Sequence, residues 1–317
     1  MIWDKLNESS QLVAISDRHP LPEPSGERRV LAAHGREDDG RPPGLLPPRA
    51  VSRAVHADPA MWLAGVRALY LQALHPRAVR GVLQNSVFRQ DPIGRLARTA
   101  RFVAVVTYAP AQKAARSAAR VRRIHAALQG WDPDTGEHFP VDDPSLLLWI
   151  HCAATASYLE VVRRSGLALT DAQADRYIDE QRIAAEMVGL DRRDVPASSA
   201  SLAGYFADVR PTLRATEEAQ EIFQFLTAPP MPPGLERRLA LLGGTAGVSG
   251  LAYGVASRQS WQRLSRVAYS ALPGWAIACY GHPAYPAAAT TAALRGMRAV
   301  GRLAPADWRA RVLRVRE

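Results

Sequence analysis

The side chains in this sequence that could do chemistry fall into three groups. The first is histidine. A helix opened by Pro110 places Ala114, Ala118, Val121, His125 and Leu128 on one face, at steps of four, three, four and three. Arg116, Arg120 and Arg123 fall off that face. His125 therefore points inward from an apolar stripe, where an imidazole needs a hydrogen-bond partner, a metal or a cofactor. His151 ends the run Leu146–Leu147–Leu148–Trp149–Ile150, with Thr155 and Tyr158 following at i+4 and i+7. A buried hydrogen-bond network explains that polar stripe, and so does a pocket. His75 precedes the helix-breaking Pro76, a place from which to cap the carbonyls freed near Gln72. The second group is cationic. In a helix opened by Pro92, Arg95 and Thr99 are i,i+4 neighbours, Arg98 lies one residue off that face, and Phe102, Val103 and Val106 continue toward the core. A guanidinium held near a core invites an anion, a carboxylate or a cofactor propionate. An ordinary ion pair fits the same residues. The third group is His56-Ala57-Asp58, half of a two-histidine, one-carboxylate iron triad, although Asp58 before Pro59 also reads as a helix N-cap.

Other chemistries lose their strongest signals. None of the eight histidines has a glutamate three residues before it, as a carboxylate-bridged di-iron bundle needs. His-Glu-x-x-His and Cys-x-x-Cys-His do not occur, and two cysteines, Cys152 and Cys279, make neither a disulfide scaffold nor a cysteine-rich zinc site. There is no Gly-x-Gly-x-x-Gly, no P-loop and no Gly-x-Ser-x-Gly.

Positioning such residues requires a core, and the chain is large enough for one. It has 317 residues, 47% hydrophobic and 22% charged. Residues 1–50 are punctuated by Pro20, Pro22, Pro24, Pro42, Pro43, Pro47 and Pro48, and read as a flexible arm. From Asp58 the text becomes helical. Asp58-Pro59, Asp91-Pro92 and Asp143-Pro144 are start signals, and the first helix runs to about His75-Pro76. The Pro110 helix stops near Gly130. Thr170 and Gln173 form a capping box for a helix reaching Met187, with Gly189 as its stop. Segments 201–209 and 212–226 also read as helices. Period-two runs of Val and Ile are essentially absent, so the fold class is all-α, one large domain over 51–300. Residues 239–257 carry no charge and are long enough to span a bilayer, but their five glycines favour a buried helix or helix pair. A last helix follows residue 285, and 301–317 forms a basic tail.

The net charge is +10, and only Lys5 and Lys113 among the basic residues are lysines. The arginines are spread, with small groups at Arg120–Arg122–Arg123, Arg163–Arg164 and Arg192–Arg193 and a last set at Arg309, Arg311, Arg314 and Arg316. Aromatics are few and no nucleic-acid motif appears, so nucleic acid is not an expected partner. The charge reads as solvated helix faces, with Arg95 and Arg98 as inward exceptions. The start MIWDKLNESSQ has no secretory pattern, and a cytoplasmic location is expected.

Four blocks in order carry a family resemblance. Ala68–Gln72 followed by Ala73-Leu74-His75-Pro76 resembles the motif ALLLQxAHP of a bacterial and fungal domain family. Arg95–Phe102, Val121–His125 and Leu147–His151 resemble its later blocks. The resemblance covers about 55–230, with a looser continuation to about 285. The family includes the latex clearing proteins, which are rubber oxygenases, and the mycophenolic acid pathway oxygenase. It implies a globin-like helical fold. In the latex clearing proteins that fold holds a b-type haem through one histidine and cleaves alkene bonds with dioxygen. Carried over, Arg95 and Thr99 match an Arg-x-x-x-Thr pair, and His125 matches the iron ligand. Where the rubber enzymes have a lysine beside the threonine, this chain has Arg98. An arginine stays protonated, so it serves as neither distal ligand nor base, but it suits a propionate or bound superoxide. That departure argues against rubber cleavage. His151, with Thr155, becomes a pocket residue.

The expected function is thus a haem-b oxygenase acting with dioxygen or peroxide on a small apolar substrate, in a setting such as natural-product tailoring. Two alternatives keep the same helices. One is a helical binding protein for a lipid or apolar metabolite, without iron. The other is a peripheral membrane protein that uses the basic faces and the glycine-rich segment.

Overall fold

A computed structural model describes residues 44–86, 92–228 and 247–303. Most of the proline-rich arm, residues 239–246 of the uncharged stretch and the tail beyond 303 lie outside the described residues.

The described chain is all-α but for one small hairpin. Its helices are α1 (Val51–His56), α2 (Met61–Gln72), α3 (Pro76–Asn85), α4 (Pro92–Tyr108) and α5 (Ala111–Ala126). The hairpin β1 (Gln129–Asp132) and β2 (Glu137–Pro140) follows, then α6 (Pro144–Arg164), α7 (Asp171–Met187), α8 (Ser199–Val209) and α9 (Glu217–Thr227). The last helices are α10 (Gly247–Ser270), α11 (Gly274–Tyr280) and α12 (Ala287–Leu303). Helix α6 is the axis of the core. Asp143 caps it, accepting from the Ser145 N–H at 2.8 Å, and Pro144 occupies its first turn. Arg163 and Arg164 meet the negative end of its dipole. By length and composition it is the one described helix able to cross a membrane. Here its apolar face is core, and Trp149, Ala153, Val161 and Val162 are fully buried against α2 and its neighbours.

Local start and stop signals were obeyed closely. The Thr170–Gln173 capping box opens α7, and Gly189 after its end has φ +108, a conformation that favours glycine. Asp58 departs from its expected role. Helix α2 starts later, at Met61, and Asp58 sits in the turn before it, accepting from the Ala60 N–H at 3.0 Å. Its other oxygen takes the Arg298 Nε–H at 2.6 Å, so α12 is clamped to the α1–α2 corner by a buried ion pair. His75 departs as well. It N-caps α3, its Nδ1 accepting from the Ala78 N–H at 3.4 Å. The Gln72 carbonyl accepts instead from the Trp149 indole N–H at 3.0 Å and from the His75 backbone N–H at 3.3 Å.

The Pro110 helix ends at Ala126, short of Gly130, because residues 129–140 fold into the hairpin. Its turn is Asp-Pro-Asp-Thr-Gly, with Gly136 at φ +68. Gly130 lies under the Phe139 ring, and a β-carbon there would fall inside its van der Waals contact. Phe139 is 2% exposed and has nowhere to go. Gly130→Ala is therefore expected to destabilise the protein by about 1–3 kcal/mol, read as a lower urea midpoint at unchanged slope.

The charge bias has inward exceptions besides those the sequence suggested. Arg67, Arg80 and Arg298 are 5%, 4% and 7% exposed. Arg67 donates to the Ala271 carbonyl at 2.9 Å and to the Ser157 hydroxyl at 2.6 Å, which ties α2 to α6 and to the end of α10.

Candidate functional site

Helices α4 and α5 are joined by Ala109 and Pro110 and share a cluster of small side chains. Val105, Val106, Ala109, Ala111, Ala114, Ala115 and Ala118 form it, with Leu45 and Met187 packed alongside. These residues come from the halves next to the turn. Arg95, Arg98 and Thr99 lie on the half of α4 away from the turn, and His125 lies in the last turn of α5.

On the α4 arm the three residues differ. Arg95 is half-buried, and its pKa is drawn down to about 10, by burial first and by the Arg98 charge second. Both causes disfavour the cation. Arg98 and Thr99 are exposed, and the Thr99 hydroxyl donates to the Arg95 carbonyl at 3.2 Å. The expectation that both arginines turn inward is met by Arg95 alone.

On the α5 arm, His125 occupies the last turn. Its Nδ1 is buried and, among the described residues, has no hydrogen-bond partner. Burial lowers its pKa, partly offset by the Asp142 carboxylate, which favours a neutral imidazole at physiological pH. The arm itself is well held. Arg122 donates to the Met187 carbonyl at 2.6 Å, and the Val141 N–H donates to the Leu128 carbonyl at 3.1 Å.

His151 lies on α6, and burial drives its pKa to about 4. Among the described residues it makes no hydrogen bond. Two turns of α6 carry the polar stripe through buried Thr155 to Tyr158, and Tyr158 meets a group the sequence did not reveal. The His56 ring lies edge-on to Tyr158 at 5.6 Å and to Tyr177 at 5.8 Å. Its Nδ1 is 2.7 Å from the Thr107 hydroxyl, which itself donates to the Val103 carbonyl at 2.7 Å. That occupies the hydroxyl proton, so His56 carries its proton on Nδ1, and the Tyr177 hydroxyl donates to Nε2 at 3.2 Å. Both ring nitrogens are used and Asp58 belongs to Arg298, so the half-triad holds no metal. Only the clustering of Thr107, Tyr158 and Tyr177 on helical core faces hinted at this network. A cavity of about 350 Å³, counting its open mouth, lies beside it between α1, α4 and α7, walled by Leu46, Phe102, Val103, Val106, Ile183 and Ala184.

Burial also holds the His56 pKa down at about 4. The unfolded chain therefore binds protons at His56 and His151 that the folded one refuses. Stability is expected to be full above about pH 6.5 and to fall as pH drops toward 4. Denaturation midpoints at graded pH read this directly, and His56→Gln should flatten part of the slope.

Cys152 is buried, with its thiol pushed up to about 12, so it offers no thiolate. Among the described residues no three His, Cys, Asp or Glu side chains converge on a point that could hold a metal ion. What this donor set can serve is a group needing one imidazole from the protein, with cationic help beside it.

No curated protein and no solved structure matches the chain. A family model does, over residues 53–303, which runs from within α1 to the end of α12 and takes in every candidate site residue described above. The chain therefore belongs to the family described as "ER-bound oxygenase mpaB/B'/Rubber oxygenase, catalytic domain".

Proposed function

We propose that this oxygenase-family chain is a haem-b-dependent oxygenase acting on an apolar organic substrate. The observation that carries the reading is the buried His125 Nδ1, which has no hydrogen-bond partner among the described residues. An orphaned ring nitrogen costs about 1–3 kcal/mol, a cost recovered when the imidazole gains a ligand. His125 would be the residue that holds the haem iron, its imidazole kept neutral by burial. Haem, when bound, supplies the one-electron and dioxygen chemistry. The protein supplies the rest. Arg95 compensates a propionate, Arg98 adds positive potential at the exposed rim, and Thr99 fixes the turn that carries them. His151 stays neutral, and with Thr155 gives an otherwise apolar helix a polar contact for substrate. Dioxygen or peroxide and an organic molecule are the partners such a reaction requires.

Two measurements test this. Protein purified from an iron-supplemented culture should contain one haem per chain by pyridine haemochrome assay, and should consume dioxygen with some member of an alkene panel. Haem-free protein that consumes dioxygen with such a substrate would refute the haem reading while leaving the oxygenase. Arg95→Gln should weaken hemin binding roughly tenfold without changing the coordination spectrum, since it removes a charge-assisted contact and not a ligand.

A further inference from the structure

We propose that the cavity between α1, α4 and α7 is a holding site for dioxygen, a small apolar chamber beside the helix that carries Arg95 and Thr99. The inference rests on the oxygenase reading, for which dioxygen is the co-substrate, and not on haem.

The position of the chamber comes from α4. Arg95 and Thr99 stand four residues apart, and Phe102, Val103 and Val106 continue that face three, four and seven residues beyond Thr99. Those three side chains line the cavity, so its wall begins about 5 Å along the helix axis from Thr99. Leu46, ahead of α1, and Ile183 and Ala184 of α7 close the other sides.

The polar residues around it are turned to other tasks. Glu180 accepts the Val51 N–H at 3.2 Å and the Ser52 N–H at 2.8 Å, and so serves the open N–H groups at the start of α1. Gln181 donates to the Ser52 hydroxyl at 2.8 Å. Thr107 and His56 are bonded to each other, to the Val103 carbonyl and to the Tyr177 hydroxyl. The surface left facing the cavity is almost wholly apolar. A chamber of that kind gives water too few partners to stay, and takes apolar guests instead. Size narrows the guest. With the mouth set aside, the enclosed part has room for about three water-sized groups. That suits a diatomic gas and is too short for an organic substrate. Dioxygen is apolar and dissolves better in such a medium than in water, so the chamber concentrates it beside α4.

The test uses the full chain, methyl-labelled, with dioxygen or argon dissolved under pressure. Paramagnetic dioxygen speeds the relaxation of methyl protons wherever it resides. Val103, Val106 and Ile183 should relax several-fold faster under dioxygen, an effect exceeding that at exposed Val300 and at the fully packed Val161 and Val162. Ala184→Leu, which fills the chamber, should bring them down to the packed-core level. Val106→Ala, which enlarges it, should raise the effect at Val103 and Ile183, and gives an independent reading if the larger side chain does not fold. Hexane added to saturation should shift none of these methyls. Cavity methyls that relax no faster than Val161 overturn the proposal. A shift induced by hexane overturns it too, by assigning the chamber to an organic chain. Either result leaves the oxygenase reading standing, because that reading is tested by dioxygen consumption.

Discussion

Replacing His125 with alanine is expected to leave a folded protein that no longer holds haem in defined coordination. The fold should tolerate the change because His125 is half-buried, in the last turn of its helix. It also removes a buried nitrogen that has no partner, so the unliganded protein loses a desolvation cost and no hydrogen bond. Hemin affinity should fall by more than the roughly 10–100-fold typical of losing a supporting contact, because here the donor itself is removed. Hemin titration followed by absorption, with a thermal melt of the unloaded protein, separates the two effects. Added imidazole should restore part of the coordination spectrum. An intact spectrum would move the ligand elsewhere, with His151 the next candidate.

Asp132→Ala should give the largest loss of stability, about 3 kcal/mol, near the lower bound for breaking a buried ion pair. The Asp132 and Arg80 side chains are 6% and 4% exposed. Asp132 bonds Arg80 through one oxygen and the Arg77 Nε–H at 2.8 Å through the other. The variant leaves Arg80 buried with Asp134 at 2.8 Å and Glu218 at 3.0 Å, which compensate in part. Burial pushes the Asp132 carboxyl up, but the Arg77 hydrogen bond and the two arginine charges hold it below the usual carboxylate range. Its contribution is therefore full above about pH 4 and lost as pH falls below that. Urea denaturation at pH 7 and pH 3 should show the difference between variant and wild type shrinking with acid. The hairpin's return is bonded to the end of α5 through the Val141 N–H and the Leu128 carbonyl, so Asp132→Ala should loosen hemin binding although Asp132 is no part of the site.

The features legible in the sequence were those decided within one helical turn. Asp143-Pro144 opens α6, and Thr170 with Gln173 opens α7, because a cap needs only residues two or three apart. The all-α class followed from the periodicity. The hairpin was missed because two strands of four residues carry too little pattern to compete with a preceding helix. Its turn, Asp132-Pro133-Asp134-Thr135-Gly136, was the available signal. Arginine destinations were the least legible. Arg298 finds Asp58 across 240 residues, and Arg67 finds Ala271 across 204, which no local spacing encodes. For the same reason Arg98 was expected inward and is exposed. Of the site itself, His125 was readable as the histidine on an apolar face, whereas the hairpin that packs against the end of its helix was not.

The most direct test of the central claim is a titration of the purified full chain with hemin, monitored by absorption. The account predicts saturation at one equivalent, with a Soret band and the spectrum of a histidine-ligated haem, both lost in His125→Ala. A chain that stays colourless as isolated and takes up no added hemin would contradict it.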